Sequence, residues 1–133
     1  MGLSLIIAVY KRLDFLTLVF QSLEKQSSKN FEVIIAEDDD QRKTKEFLQN
    51  LSQKSSITIK HVYQEDLGFR KNRILNRAVK VASFQKLVFI DGDCLLHRHF
   101  IQNYLSGIDT GIARAGRRIE LSKKHSQKML DSG

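Results

Sequence analysis

Residues 88–94 read VFIDGDC, an apolar run that passes directly into Asp91-Gly92-Asp93. A short continuous apolar run fits a strand covered on both faces, and carboxylates crowded at its end repel one another unless a cation or hydrogen-bond donors answer their charge. The run begins at residue 86 (KLVFI, 86–90), and similar runs lie upstream at residues 4–9 (SLIIAV), 31–36 (FEVIIA) and 56–63 (SITIKHVY). Between them the apolar residues change to helical spacing. Leu16, Val19, Phe20 and Leu23 follow the first run; Phe47, Leu48 and Leu51 follow the second; Ile74, Leu75, Ala78, Val81 and Ala82 form one stripe over residues 69–82. Strands alternating with helices predict right-handed crossovers, and so an α/β fold: a Rossmann-like layer with a mainly parallel sheet flanked by helices. After Asp93, the residues Phe100, Ile101, Tyr104 and Leu105 predict a helix, and residues 111–121 (GIARAGRRIEL) a strand or hairpin. The last dozen residues, ending KKHSQKMLDSG, read as a frayed or cut end.

The chain has 133 residues and no proline, repeat or low-complexity linker, so a single domain over residues 1–133 is expected. Hydrophobic residues at 41% and charged residues at 28% exclude a disordered chain, and no apolar run approaches the roughly 18 residues of a membrane span. The first residues lack the basic region of a signal peptide, and Cys94 has no partner for a disulfide or a zinc site. A cytoplasmic protein is expected. The net charge of +7, from 22 Lys and Arg against 15 Asp and Glu, suits a polyanionic partner: nucleic acid, an anionic lipid surface or a phosphorylated small molecule.

In a parallel α/β sheet, ligands bind beyond the carboxyl ends of the strands. Those ends deliver Tyr10, Lys11 and Arg12 from the first strand and Glu37, Asp38, Asp39 and Asp40 from the second. The third gives Glu65 and Asp66, and the fourth Asp91 and Asp93. A hard divalent ion carried with a phosphate would compensate these acids, because Mg2+ or Mn2+ takes one or two protein carboxylates and completes its shell with water and phosphate oxygens. Gly92 allows the tight turn between the two aspartates. Asp38, just past its strand, is the stronger binding candidate in EDDD; Asp39 and Asp40 fit a solvated loop equally, with Asp40 as the helix N-cap. Tyr10 fits either packing at the strand end or stacking on a nucleobase. Arg70, Arg73, Arg77 and Lys80 share one helical face; Arg70, Lys71 and Arg73 stand in the first turns after Gly68, where free N–H groups favour an anion. His97 and His99 are not at helical ligand spacing. No glycine-rich phosphate loop and no covalent-nucleophile set is present.

Four segments in order carry a resemblance: LSLIIAVYKR, FEVIIAEDD, QEDLGFRKNRILNRAV and VFIDGDCLLHRHF. Together they resemble the family 2 glycosyltransferases, with their GT-A fold of a nucleotide-binding layer joined to an acceptor-binding half, over about residues 3–121. The resemblance implies a metal-dependent inverting glycosyltransferase that moves a sugar from a nucleoside diphosphate donor, UDP-linked, to a glycan or lipid-linked acceptor in polysaccharide biosynthesis. Ala8 and Tyr10 would border the base, Asp38 would bond it, and Asp91 would approach the ribose. Asp93, with Asp91, would hold Mn2+ or Mg2+ at the diphosphate, and Arg12, Glu37, Arg70, Arg73 and Gly92 complete the donor-binding set. Position 8 is Ala where the family usually has Thr or Pro, and Glu37 replaces the first Asp of the second strand. The family's Arg-Asn pair falls at Arg73-Ile74 or Leu75-Asn76.

The family's general base lies well downstream of the DxD segment, yet only 40 residues follow Asp93, with Asp109, Glu120 and Asp131 their only acids. None stands in a recognisable acceptor motif, so the base is unassigned. Residues 1–93 are therefore expected to form the donor-binding half, and residues 94–133 an incomplete start of the acceptor half. The alternatives are a nucleotide-sugar-binding module without turnover, or a basic nucleic-acid-binding domain. The acidic strand ends count against nucleic acid. A lipid-linked acceptor would bring peripheral contact with the inner membrane face.

Overall fold

The computed structural model describes residues 2–107 and 123–132. Its elements alternate as expected: β1 (Leu3–Val9), α1 (Leu13–Glu24), β2 (Phe31–Glu37), α2 (Arg42–Lys54), β3 (Thr58–Tyr63), α3 (Lys71–Val81) and β4 (Lys86–Asp91), followed by α4 (Phe100–Gly107) and α5 (Lys123–Ser132). Among the described residues the sheet has four strands in the order β3-β2-β1-β4, all paired in parallel.

Side chains alternate across this sheet, so each strand feeds two cores. Leu3, Leu5, Ile7 and Val9 of β1 join Phe31, Val33 and Ile35 of β2 on one face. There they meet Leu16, Val19, Phe20 and Leu23 of α1, Leu48 of α2 and Ile101 of α4. On the other face Ile6, Ile34 and Ala36 pack against Ile74 and Ala78 of α3. Burying each large apolar side chain contributes about 1.5–3 kcal/mol before chain entropy is subtracted, so the α1 face is the more heavily stabilised of the two.

The amino end of the sheet is tied by Glu32, which is 3% exposed. Its carboxylate accepts from the Ser4 hydroxyl (2.7 Å) and the Ser83 N–H (2.7 Å), and Lys60 Nζ lies 3.0 Å from its other oxygen. Burial pushes the Glu32 carboxyl up, but these donors, led by the Ser83 N–H, outweigh it and hold the group below its ordinary value.

Several boundaries differ from expectation for local reasons. β3 starts at Thr58 rather than 56, because the Ile57 N–H turns back to the Ser55 hydroxyl (3.1 Å). α3 starts at Lys71 rather than 69, because Gly68 has φ +85° and Arg70 has φ −131°, ψ 41°, neither of them helical. β4 runs one residue further, to Asp91, which pairs with Ala8. The N-cap of α2 is Gln41 rather than Asp40, whose carboxylate is instead paired with Lys45 at 2.6 Å. The carboxyl-terminal segment expected to fray holds α5, which packs on α1. The strand or hairpin expected at residues 111–121, and the acids Asp109 and Glu120, lie outside the described residues.

Candidate functional site

From β1 the chain steps outward to β2 and β3, then returns to place β4 on the other side of β1. This is a topological switch point, and the carboxyl ends of β1 and β4 flank the crevice it creates. A cleft of ≈ 340 Å3 opens there, on the α3 face of the sheet. Register explains the room. Ile34, Ile6 and Phe89 stand side by side across three strands, and the next row on the same face is Ala36, Ala8 and Asp91. Two alanines where the preceding row carries isoleucines lower the floor, while Lys71 and Ile74 of α3 form the wall.

Asp38 stands at the cleft, 5% exposed. One carboxylate oxygen accepts from Gln64 Nε2 at 2.7 Å and the other from the Arg70 N–H at 2.9 Å. Gln64 Nε2 also donates to the Arg70 carbonyl at 3.0 Å, so Asp38 and Gln64 together clamp the loop between β3 and α3 to the sheet. Arg70 caps this arrangement as the residue before α3, its guanidinium donating to the Glu65 carbonyl at 2.7 Å.

At the mouth, Tyr10 is half exposed and donates its hydroxyl to Asp66 at 3.2 Å. Lys11 pairs with the same carboxylate at 3.0 Å and adopts φ +59°, a left-handed conformation that non-glycine residues rarely hold. The hydrogen bond to Asp66 is the main cause of a raised Lys11 pKa, and Lys11 in turn lowers that of Asp66. The end of β1 and the β3–α3 loop are thus joined across the cleft opening.

On the β4 side, Asp91 pairs with Lys71 Nζ at 2.6 Å. Gly92 donates its N–H to the Ala8 carbonyl at 2.8 Å, and a Cβ there would come within 2.9 Å of that same oxygen. The close approach therefore requires glycine. Asp93 projects beyond it, exposed, its carboxylate meeting the Cys94 thiol at 3.8 Å.

The cleft thus brings together Ala8, Tyr10, Asp38 and Asp91, with Gly92 and Asp93 continuing from its β4 edge. Four expected residues do not line it: Arg70, whose guanidinium turns to the Glu65 carbonyl, and Glu37, Arg12 and Arg73. Glu37 is fully buried on the opposite face, bonded to His61 Nε2 at 2.9 Å, because strand alternation sends it away from its neighbour Asp38. Arg12 is engaged by Asp14, whose two oxygens lie 3.0 and 2.9 Å from its guanidinium; that pairing raises the pKa of Arg12 and lowers that of Asp14. Arg73 is exposed on α3 and does not line the cleft. Gln64 and Phe69 are the residues that the sequence-based site lacks, whereas Lys71, expected among the basic residues at the start of α3, does line the cleft. Lys71 lies three positions before Ile74 and seven before Ala78, so the apolar stripe itself, extended toward the amino end, points to it. His99 bonds Ser27 at 2.8 Å and His97 accepts from the His99 N–H, which keeps both outside the cleft.

An exposed, acceptor-only carboxylate just past Asp91 is the kind of single ligand that Mg2+ or Mn2+ takes when water and phosphate fill the rest of its shell. Asp93 fits such an ion.

The glycosyl transferase family 2 profile matches residues 4–120, from the first strand past the DxD segment. The chain belongs to glycosyl transferase family 2. Among the relatives of this glycosyl transferase family 2 chain, validoxylamine A glucosyltransferase of Streptomyces hygroscopicus subsp. jinggangensis is 30% identical over 106 residues, 78% of this chain and 25% of that protein. Chondroitin synthase of Escherichia coli is 28% identical over 127 residues, 92% of this chain and 18% of that protein. The chain therefore spans a quarter or less of these relatives. A crystal structure of S. aureus TarS 1–349 in complex with UDP-GlcNAc superposes with a TM-score of 0.64 at 24% identity, over 80% of this chain and 30% of that one. That likeness shows the shared fold.

Proposed function

We propose that this chain is the donor-binding part of a glycosyltransferase, and that its cleft holds a nucleoside diphosphate sugar, UDP-linked. Residues 1–93 form the donor-binding half, and residues from 94 onward begin the acceptor half. The observation that carries the reading is the row Ala36–Ala8–Asp91 beneath α3. It makes a low apolar floor beside the half-exposed ring of Tyr10, and it ends in Asp91, the first carboxylate of the DxD turn whose second, Asp93, is exposed. Apolar walls with a few fixed polar groups are what a nucleotide site requires. Complexes of TarS with UDP and with UDP-GlcNAc support the choice of donor.

In this reading the base enters over Ala8 and Ala36 beside Tyr10, and an unused lone pair of Asp38 accepts from the base. Asp91 accepts from the ribose hydroxyls, which frees Lys71 to turn toward the diphosphate. Asp93, with Asp91, would hold Mn2+ or Mg2+, and the ion, when bound, supplies positive charge that stabilises the departing nucleoside diphosphate. Transfer by single displacement at the anomeric carbon would need a carboxylate to take the acceptor's proton. Asp131, the described acid beyond Asp93, is bonded by Gln127 at 3.0 Å on α5 and has no place in the cleft. The acceptor is a glycan or a lipid-linked sugar in polysaccharide assembly, reached at the cytoplasmic membrane face; among the described residues no helix is long and apolar enough to cross a membrane.

The test is calorimetric titration of UDP with and without Mn2+, on the wild type, Asp93→Ala and Ala8→Leu. Binding that needs Mn2+ and disappears in both variants is expected. A wild type that fails to bind UDP with Mn2+ present overturns the proposal, and salt-sensitive binding of DNA or RNA in its place would move the function to nucleic acid.

A further inference from the structure

Phe69 is the most exposed large apolar residue described, at 87%, yet it is far from loosely held. On one side its neighbour Arg70 is fixed through its N–H to Asp38 at 2.9 Å. On the other, Gly68 takes φ +85°, and beyond it Asp66 is tied to Tyr10 and Lys11 at 3.2 and 3.0 Å. A chain pinned at both ends and turned by a left-handed glycine presents this ring to the solvent at the cleft, which Phe69 lines together with Tyr10. Leaving a phenylalanine uncovered forgoes the largest apolar burial available to a side chain of its size, and no described residue packs over it.

We propose that Phe69 is a second aromatic wall of the cleft, and that it binds the planar base of the nucleotide by stacking. The proposal deepens the donor-site reading and rests on it. The division of labour follows from chemistry. Stacking is tolerant of base identity because every base offers a π-face, whereas Asp38, an acceptor-only group, selects for a base with an N–H at the matching edge. Phe69 therefore sets how tightly the nucleotide is held and Asp38 which base is preferred. The diphosphate end, at Asp91 and Asp93, is independent of the ring.

Because Phe69 is so exposed, its replacement leaves the core untouched. UDP and inorganic pyrophosphate, each with Mn2+, are titrated into the wild type, Phe69→Ala and Phe69→Trp. Phe69→Ala should weaken UDP by roughly 10-fold, the loss of one base–aromatic stack, with pyrophosphate affinity unchanged. The chain contains no tryptophan, so Phe69→Trp carries the only indole, and its fluorescence should change saturably with UDP and stay constant with pyrophosphate. UDP affinity equal to wild type in Phe69→Ala, an equal loss for both ligands, or an indole blind to bound UDP overturns the stacking role alone. Failure of the wild type to bind UDP removes the donor-site reading and this one with it.

Discussion

Asp38→Ala removes two acceptors at once, that of the Gln64 amide at 2.7 Å and that of the Arg70 N–H at 2.9 Å. A hydrogen bond to a charged group contributes about 1.5–3 kcal/mol net, which sets the combined loss at about 3–6 kcal/mol. Gln64 keeps its bond to the Arg70 carbonyl at 3.0 Å, and water can reach the space vacated by a carboxylate next to an open cleft, so the lower end, about 3 kcal/mol, is expected. Asp38→Asn keeps one acceptor oxygen and turns an amide N–H toward the other donor, at a cost of about 1.5–3 kcal/mol. Urea unfolding gives the midpoints, and hydrogen exchange gives the location: the Arg70 amide should lose protection along with its loop, while amides in the middle of β1 and β2 keep theirs. UDP affinity should fall in both variants, because the wall of the cleft is released as well as the ligand's partner. An unchanged midpoint in Asp38→Ala, with the Arg70 amide as protected as in the wild type, would refute the clamp.

Glu32 carries a pH prediction. Its folded pKa is lowered by the Ser83 N–H, Ser4 and Lys60 against burial, so its contribution is complete above the ordinary glutamate value, about 4.3, and is lost as pH falls through the lower folded value. The stability difference between wild type and Glu32→Gln, measured by urea unfolding, should therefore be largest near pH 7 and shrink toward pH 3; a difference that grew on acidification would show the sign to be wrong. Gly92→Ala places a Cβ 2.9 Å from the Ala8 carbonyl and should destabilise by about 1–3 kcal/mol while weakening UDP, because Asp91 and Asp93 move with the turn; a thermal scan and a titration check both halves. Lys71→Met breaks the 2.6 Å pair with Asp91, but both side chains are more than a third exposed, so stability should change by less than about 1 kcal/mol while UDP binding weakens. Unaltered UDP affinity in that variant would remove Lys71 from the diphosphate end.

The layer architecture was legible because it depends on period, and period survives errors of a residue or two at each boundary. The four strand runs and the helical stripes between them give the parallel sheet directly, and the carboxyl ends of the strands then give the edge where the site lies, while the strand order that puts the switch point between β1 and β4 comes from the structure. Which side chains enter the cleft depends on phase, and there the basic residues misled. Arg70, Arg73, Arg77 and Lys80 share a face opposite the apolar stripe, so a helix that buries Ile74 and Ala78 against the sheet turns Arg73 away from it. The same phase points Lys71 inward. In β2 the alternation that brings Ala36 and Asp38 to the α3 face must send Glu37 to the other, where His61 receives it. Both assignments followed from periodicities already visible in the chain; resemblance to a family named the site's chemistry by residue type, and residue type is blind to facing. Phe69 is a different case. The expected helix begins at Phe69, whereas the φ of Gly68 and the Asp38–Arg70 bond start α3 at Lys71 and leave the ring in the loop before it. Helical phase already sets Phe69 apart from Ile74 and Ala78, but that it stands at a cleft depends on where the fold brings the ends of β1 and β4, which no local pattern carries.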